Sequence, residues 1–179
     1  MTAPTLSITE SQILTAVIAF LGNLFPGVPV IKSQANVVAE PSADNFIMLT
    51  PTYRRRLSTT VPGWNMALTN PTLMTYAEPE QISIQLDIHG EGSTDMAQVV
   101  QTLFRSGFGV QSLQPYGVIP LFCDEGHQMP FVNDQGQYED RWTVTLELQA
   151  TPVVSTAQDF ADTITVDLQD VDVVYPPGG

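Results

Sequence analysis

Residues 123–127 carry the side chains best suited to chemistry: Cys123, Asp124, Glu125 and His127. A zinc site takes three or four such protein ligands, and a cysteine nucleophile needs a base and a third group that orients the base. His89 is the only other histidine, and no spacing typical of a catalytic triad is present. We therefore interpret the segment as a polar loop and expect no catalytic residue, metal or cofactor. A hydrolase using Cys123 and His127 stays open as an alternative.

The charge and the remaining motifs exclude several other functions. Residues 90–92 (Gly-Glu-Gly) lack the lysine of a phosphate-binding P-loop and the third glycine of a dinucleotide-binding turn. The net charge is −13, from 19 acidic and six basic residues, so a basic surface for gripping nucleic acid is absent. The apolar run 13–25 is too short to cross a membrane. With no signal peptide visible and a single cysteine, we expect a protein made in the cytoplasm.

Half of the positive charge lies in one place, at Arg54, Arg55 and Arg56. In a strand, Arg54 and Arg56 share one face and Arg55 points to the other. Three interpretations stay open: contacts with acidic groups of a neighbouring subunit, contacts with a DNA backbone, or a solvated edge whose charge prevents wrong strand pairing. Charged residues make up only 14% of the chain, below the roughly 25% usual for soluble domains. The resulting neutral surface suits a protein that contacts copies of itself.

Two strands with strict alternation form the predicted centre of the fold. The first holds Ile82, Ile84, Leu86 and Ile88, and the second holds Trp142, Val144, Leu146, Leu148 and Ala150. Polar residues occupy the positions between them. A period of two predicts strands with one face in the core and the other in water. We expect Trp142 and Leu146 to be core residues.

Two helices are predicted to cover the apolar face of this sheet. Thr9 and Gln12 form a capping box at the start of the first helix, which ends before Pro26. The second begins at Ser93 and ends at Gly107. The predicted fold class is therefore α+β, a largely antiparallel or mixed sheet with two main helices packed on one face.

Residues 61–81 are predicted to form a projecting loop or hairpin arm. The segment has few charges and several prolines, and Trp64, Met66 and Leu68 alternate. Because a long unstructured loop is unusual in a compact domain, we expect its partner to lie in a neighbouring subunit. We also expect a bulge or sheet edge at Pro51, a helical turn over residues 156–161, a single domain over residues 1–175 and a flexible tail over residues 176–179.

Several segments resemble a family of phage neck and tail-terminator proteins. The stretch PEQISIQLDIHG (residues 79–90) resembles the central strand of that family. The likeness continues in order through QYEDRW (137–142), TPVV (151–154) and QDFA (158–161). It covers nearly the whole chain, from the first predicted helix to residue 177, and rests on the series of segments because none of them is a catalytic signature.

The resemblance implies a structural virion protein of the tail neck, not an enzyme. Such a protein forms a hexameric ring that ends tail-tube growth, joins the tail to head-completion or neck proteins, contacts the sheath if the tail contracts, and lets double-stranded DNA pass without tight binding. We expect the subunit interface to include Arg54, Arg55, Arg56, Trp64, Met66, Tyr138, Glu139, Asp140 and Arg141. The alternative is a cytoplasmic module that binds a protein or peptide through a sheet edge.

Overall fold

The computed structural model describes residues 3–33, 43, 45–65, 72–132, 138–159 and 165–167. The described elements, in chain order, are β1 (Thr5–Leu6), α1 (Glu10–Leu24), β2 (Val30–Lys32), β3 (Phe46–Arg56), β4 (Val61–Asn65), β5 (Thr72–Ala77), β6 (Glu80–His89), α2 (Ser93–Phe104), α3 (Gly107–Leu113), a 3₁₀ helix (Gln114–Tyr116), β7 (Val118–Cys123), β8 (His127–Gln128), β9 (Phe131–Val132), β10 (Tyr138–Glu139), β11 (Arg141–Ala150) and β12 (Val153–Gln158). The short strands β9 and β10 pair with each other.

The main sheet has the order β2-β3-β6-β11-β7, and β8 also pairs with β11. Strands β6 and β11, the two predicted from alternation, lie at its centre and pair antiparallel. Leu86 of β6 stands opposite Leu49 of β3 on one side and Val144 of β11 on the other. Because β2 runs parallel to β3 while the other pairs are antiparallel, the sheet is mixed, and the predicted α+β fold is confirmed.

Helices α1, α2 and α3 form the core with one face of this sheet. The predicted capping box of Thr9 and Gln12 begins α1. Phe20 of α1 is fully buried and meets the ring of Phe104 in α2 edge-on, with centroids 5.9 Å apart. Leu146 is buried as predicted, whereas Trp142 is only half-buried at the edge of the core.

The third helix, α3, was not predicted. Gly107 was expected to end α2, but α2 already ends at Phe104, and Ser106 then caps α3 by accepting a hydrogen bond from the amide of Phe108. Gly109 lies against the end of α2, where a Cβ would stand 2.0 Å from the Phe104 carbonyl oxygen. The close approach of the two helices therefore depends on glycine at this position.

A second sheet, of order β1-β12-β5-β4, continues three strands of the main sheet. Strand β3 leads into β4, β5 leads into β6, and β11 leads into β12. Pro79 and Pro152, which cannot donate a ladder hydrogen bond, stand at two of the three breaks. Their carbonyl oxygens accept hydrogen bonds from the amides of Leu57 (2.9 Å) and Glu78 (3.1 Å), which tie the breaks together. We call this second sheet the arm.

The expected partner of residues 61–81 was wrong in one respect. Strand β5 pairs with β12 of the same chain over six positions, from Val153 opposite Ala77 to Gln158 opposite Thr72. Part of the expected helical turn at 156–161 is therefore strand, because β12 runs to Gln158. Met66, Leu68 and the tail 176–179 lie outside the described residues.

Strand β3 contains the predicted bulge. Its register against β6 shifts between Pro51 and Tyr53. After the shift, Arg54 stands opposite Ile82 and Arg56 opposite Glu80, so the two share a face, while Arg55 stands opposite Gln81. The arrangement of the arginine run follows the strand alternation expected of it.

Candidate subunit interface

The residues of the 123–127 segment do not come together as a catalytic or metal site. Cys123 pairs with Leu146 of β11, and His127 pairs with Thr143, three positions before Leu146 on that strand. This places them roughly 10 Å apart along the strand and toward opposite faces. Burial raises the pKa of the Cys123 thiol to about 12, which disfavours the nucleophilic thiolate. Among the described residues, no three histidine, cysteine or carboxylate side chains are grouped to hold a metal ion.

The three arginines lie at the base of the arm and each has a partner in its own chain. Arg56 forms an ion pair with Glu78 (3.0 Å), and Thr60 donates a hydrogen bond to the same carboxylate (2.6 Å). Arg54 lies 3.5 Å from Glu80 and 3.8 Å from Glu10. Arg55 donates to Gln81 (2.5 Å). These contacts link the end of β3 to the connection between β5 and β6.

Glu78 is held in its charged form at this base. The hydrogen bond from Thr60 lowers the pKa of Glu78, and Arg56 contributes in the same direction. Thr60 precedes β4 and Glu78 follows β5, so the Glu78 carboxylate links both of these strands to Arg56 at the end of β3. The arginine run thus positions the arm relative to the main sheet.

Part of the sheet face turned away from the helices is a buried polar network. Asp87 is buried, and its Oδ1 accepts hydrogen bonds from Thr143 (2.7 Å) and from Arg141 Nη2 (2.9 Å) and Nε (3.1 Å). Glu147, also buried, accepts from Tyr53 (2.9 Å) and from Gln81 (2.8 Å).

This burial corrects the expectation that the polar face lies in water. Alternation shows that Asp87 and Glu147 point away from the helices, but it does not show that cross-strand neighbours cover them. Buried carboxylates persist when they are hydrogen-bonded, as both are here, and Asp87 is also paired with Arg141. The bond to Glu147 raises the pKa of the Tyr53 phenol. Arg141, expected at a subunit interface, is therefore tied into its own chain.

Tyr138, Glu139 and Asp140 lie where β10 meets β11. Tyr138 is 84% exposed, the largest exposed fraction among the large hydrophobic side chains described. Asp140 is exposed and accepts a hydrogen bond from Gln128 (3.3 Å). Glu139 Oε1 lies 3.5 Å from Nδ1 of His89, which is buried. Tyr138 is thus the member of this group whose side chain is most available to a partner.

One face of the arm presents apolar side chains to solvent. Trp64 and Met74 are directly opposite each other, and Tyr76 and Val154 lie on the same face one step along. Trp64 is 62% exposed. The side chains described on this face are Leu6, Pro62, Trp64, Met74, Tyr76, Val154, Thr156 and Gln158, together with Thr72, which is buried. None of them carries a charge, so this face is suited to burial against another protein.

A comparison with protein families shows the family to which the chain belongs. A family model described as "Phage neck terminator protein" matches residues 11–174 of the 179. The chain belongs to this family. A comparison with curated proteins gave no match.

As a member of this family, the chain is a structural protein of the phage neck and is located in the tail of the virion. Its partners are other proteins of the phage tail and head. In the described part of the chain, no helix is long and apolar enough to cross a membrane. The matched range includes α1 except its first residue, α2, α3, both sheets from β2 onward and all nine residues expected at the subunit interface.

Proposed function

We propose that the chain assembles with copies of itself into a closed hexameric ring at the head-proximal end of the phage tail. The ring ends growth of the tail tube, joins the tail to head-completion or neck proteins, and contacts the sheath where the tail is contractile. The observation that carries this proposal is the family match over residues 11–174. A closed ring requires each subunit to offer two different patches to its two neighbours.

The whole of residues 1–175 acts as one unit in this proposal, and the arm belongs to it. Three strands of the main sheet are each followed or preceded in the chain by a strand of the arm, so the two sheets are not separable as sequence segments. The arginine contacts at the base of the arm fix its direction. An arm held at a set angle suits a subunit that must reach its neighbour in one defined orientation.

The predicted interface residues differ in how much of each side chain is exposed to a neighbouring subunit. Trp64 and Tyr138 are the principal contacts, because 62% and 84% of their surfaces are exposed. Asp140 is exposed and contributes at the rim. The arginine run, Glu139, Arg141 and Met66 remain predicted members of the interface. Arg54 and Arg56 keep about a third and three fifths of their side chains exposed despite their ion pairs.

Double-stranded DNA passes through the ring without being held. Six copies of a chain with net charge −13 carry a formal charge of −78. Five of the six bases already have partners within the chain: Arg54 and Arg56 with glutamates, Arg141 with Asp87, Arg55 with Gln81, and Lys32 with Ser11. Non-specific DNA affinity comes almost entirely from Lys and Arg releasing counterions from phosphates. Little cationic surface is left for such binding.

The purified ring should therefore give no mobility shift with double-stranded DNA at micromolar protein, even at low salt. A variant with three exposed acids outside the predicted interface reversed, Glu91→Lys, Asp124→Lys and Glu125→Lys, is the control. It should bind more strongly and in a salt-dependent way, which shows that the assay responds to charge. Micromolar DNA binding by the parent that weakens steeply with salt would contradict the claim that DNA passes without being held, and it would place the arginines in the channel.

Labelling of assembled particles tests the position of the protein. Gold-conjugated antibodies against the purified chain should bind phage tails that have not joined heads at one end only, the end that docks to the head. Tails from a phage lacking this chain should be of irregular length and unlabelled. Gold distributed along the tail, or at the end distal to the head, would contradict the proposed location.

A further inference from the structure

A pocket of about 140 Å³ opens between α1 and β3 at the bulge. The register shift between Pro51 and Tyr53 interrupts the regular ladder where the pocket opens. Four buried side chains, Ile13, Leu14, Ile82 and Ile84, form its apolar lining. Glu10 and Arg54, which lie 3.8 Å apart, form its charged rim.

The size and chemistry of this pocket match one aromatic ring with a polar N–H. An apolar cavity of about 150 Å³ is large enough to hold benzene, so this pocket can take the six-membered ring of an indole and leave the pyrrole N–H at its rim. At the rim, the Glu10 carboxylate can accept a hydrogen bond from a ring N–H, and the Arg54 guanidinium can stack on the ring face. An indole has both features, whereas phenylalanine lacks the donor.

The same chain exposes an indole on the arm, away from the pocket. Trp64 is 62% exposed, so its own chain does not bury it, and it stands on the uncharged face of the arm beside Met74. The pocket belongs to the main sheet and α1, so the exposed ring and the pocket are two different patches of one subunit. Two different complementary patches are what a head-to-tail contact between copies requires.

Charge also favours a second copy as the occupant. Two chains of net charge −13 repel one another and approach most easily where their surfaces are neutral. The described side chains of the arm face include no charged residue, and the pocket rim pairs one acid with one base.

We propose that Trp64 of one subunit inserts into the α1–β3 pocket of the next subunit and anchors the ring. This inference rests on the ring assembly proposed above and specifies its contact. A tryptophan seated in a preformed pocket is the kind of residue that dominates an interface. The neutral arm face around it then excludes water from the contact.

Sedimentation of the full chain and three variants tests this pairing. Trp64→Ala should raise the protein concentration for half-assembly roughly tenfold or more, and Trp64→Phe should raise it less. Thr52→Trp places a large side chain in the lining of the pocket and should have a similar effect to Trp64→Ala. Because Trp64 and Thr52 are both exposed, thermal melting of the unassembled subunit should stay close to the parent value.

The double variant Trp64→Ala with Thr52→Trp identifies the contact. If the Trp64 indole fills the pocket, the double variant should assemble no worse than either single variant, because the two substitutions remove the same interaction. Tyr116→Ala, which removes an exposed aromatic ring elsewhere, is the control and should assemble like the parent. Fully additive effects would show that Trp64 contacts another surface and would overturn the pairing. Normal assembly of Trp64→Ala would refute Trp64 as the anchor but would leave the proposed ring assembly standing. A parent protein that never assembles would refute both proposals.

Discussion

Replacing Gly109 with alanine should lower the free energy of unfolding by about 3 kcal/mol, the upper end of the usual cost of overpacking. A Cβ at this position would lie 2.0 Å from the carbonyl oxygen of Phe104, 2.7 Å from its carbonyl carbon and 2.8 Å from the carbonyl oxygen of Leu103. These atoms are the backbone at the end of α2, which cannot rotate away as a side chain could. Helix α3 must therefore move, and the buried contacts of Phe104 and Leu113 must loosen with it.

Gly107→Ala is the matched control in the same helix. A Cβ there meets nothing within 4 Å, so the substitution should change stability by less than about 1 kcal/mol. Urea unfolding followed by circular dichroism measures both variants. Equal loss of stability in the two would mean that α3 does not approach α2 as closely as described.

Leu146→Ala should lower the free energy of unfolding by about 2–5 kcal/mol. The side chain is fully buried at the centre of the main sheet, opposite Ile84 of β6 and Cys123 of β7. Truncation leaves a cavity that strands on both sides and the helices above cannot collapse to fill.

Thr145→Ala in the neighbouring position provides the comparison. Thr145 is half-buried on the opposite face, so its truncation should cost well under 2 kcal/mol. Trp142→Ala should cost less than complete burial of an indole would suggest, because Trp142 lies at the edge of the core. Chemical denaturation measures all three, and a Leu146→Ala variant as stable as Thr145→Ala would remove Leu146 from the core.

Local patterns predicted the central strands and the first helix. Ile82 to Ile88 and Trp142 to Ala150 alternate because one face of the main sheet meets the helices. Thr9 and Gln12 specify where α1 begins through a contact between residues only three positions apart. The bulge after Pro51 follows from a residue that lacks a backbone donor. Each of these signals is contained in a short stretch of sequence.

The features that sequence reasoning missed depend on distant parts of the chain. Strand β12 reads Val-Val-Ser-Thr-Ala-Gln, with no clear alternation, and is strand because β5 and β1 pair with its two edges. Helix α3 depends on Ser106 as a cap and on Gly109, both in a stretch where glycines indicated a break. Burial of Asp87 depends on Arg141 and Thr143, more than 50 positions away.

The candidate interface was predictable only in part. The low charge of residues 61–81 indicated Trp64, and its exposure is the feature on which the anchor proposal depends. The pocket for it could not be predicted, because its lining comes from α1, β3 and β6, which meet only in the folded chain. The arginine run suggested contacts with acids, and the acids it meets include Glu78 and Glu80 of its own chain.

The mass of the purified full chain in solution tests the central claim most directly. Sedimentation equilibrium over a wide range of protein concentration should reveal a closed species of six chains of 19.5 kDa, about 117 kDa, and negative-stain images of it should show rings with a central channel. Addition of salt should not dissociate the rings if the uncharged arm face supplies the main contact. A single species of 19.5 kDa at every concentration, with no rings on the grid, would contradict the account.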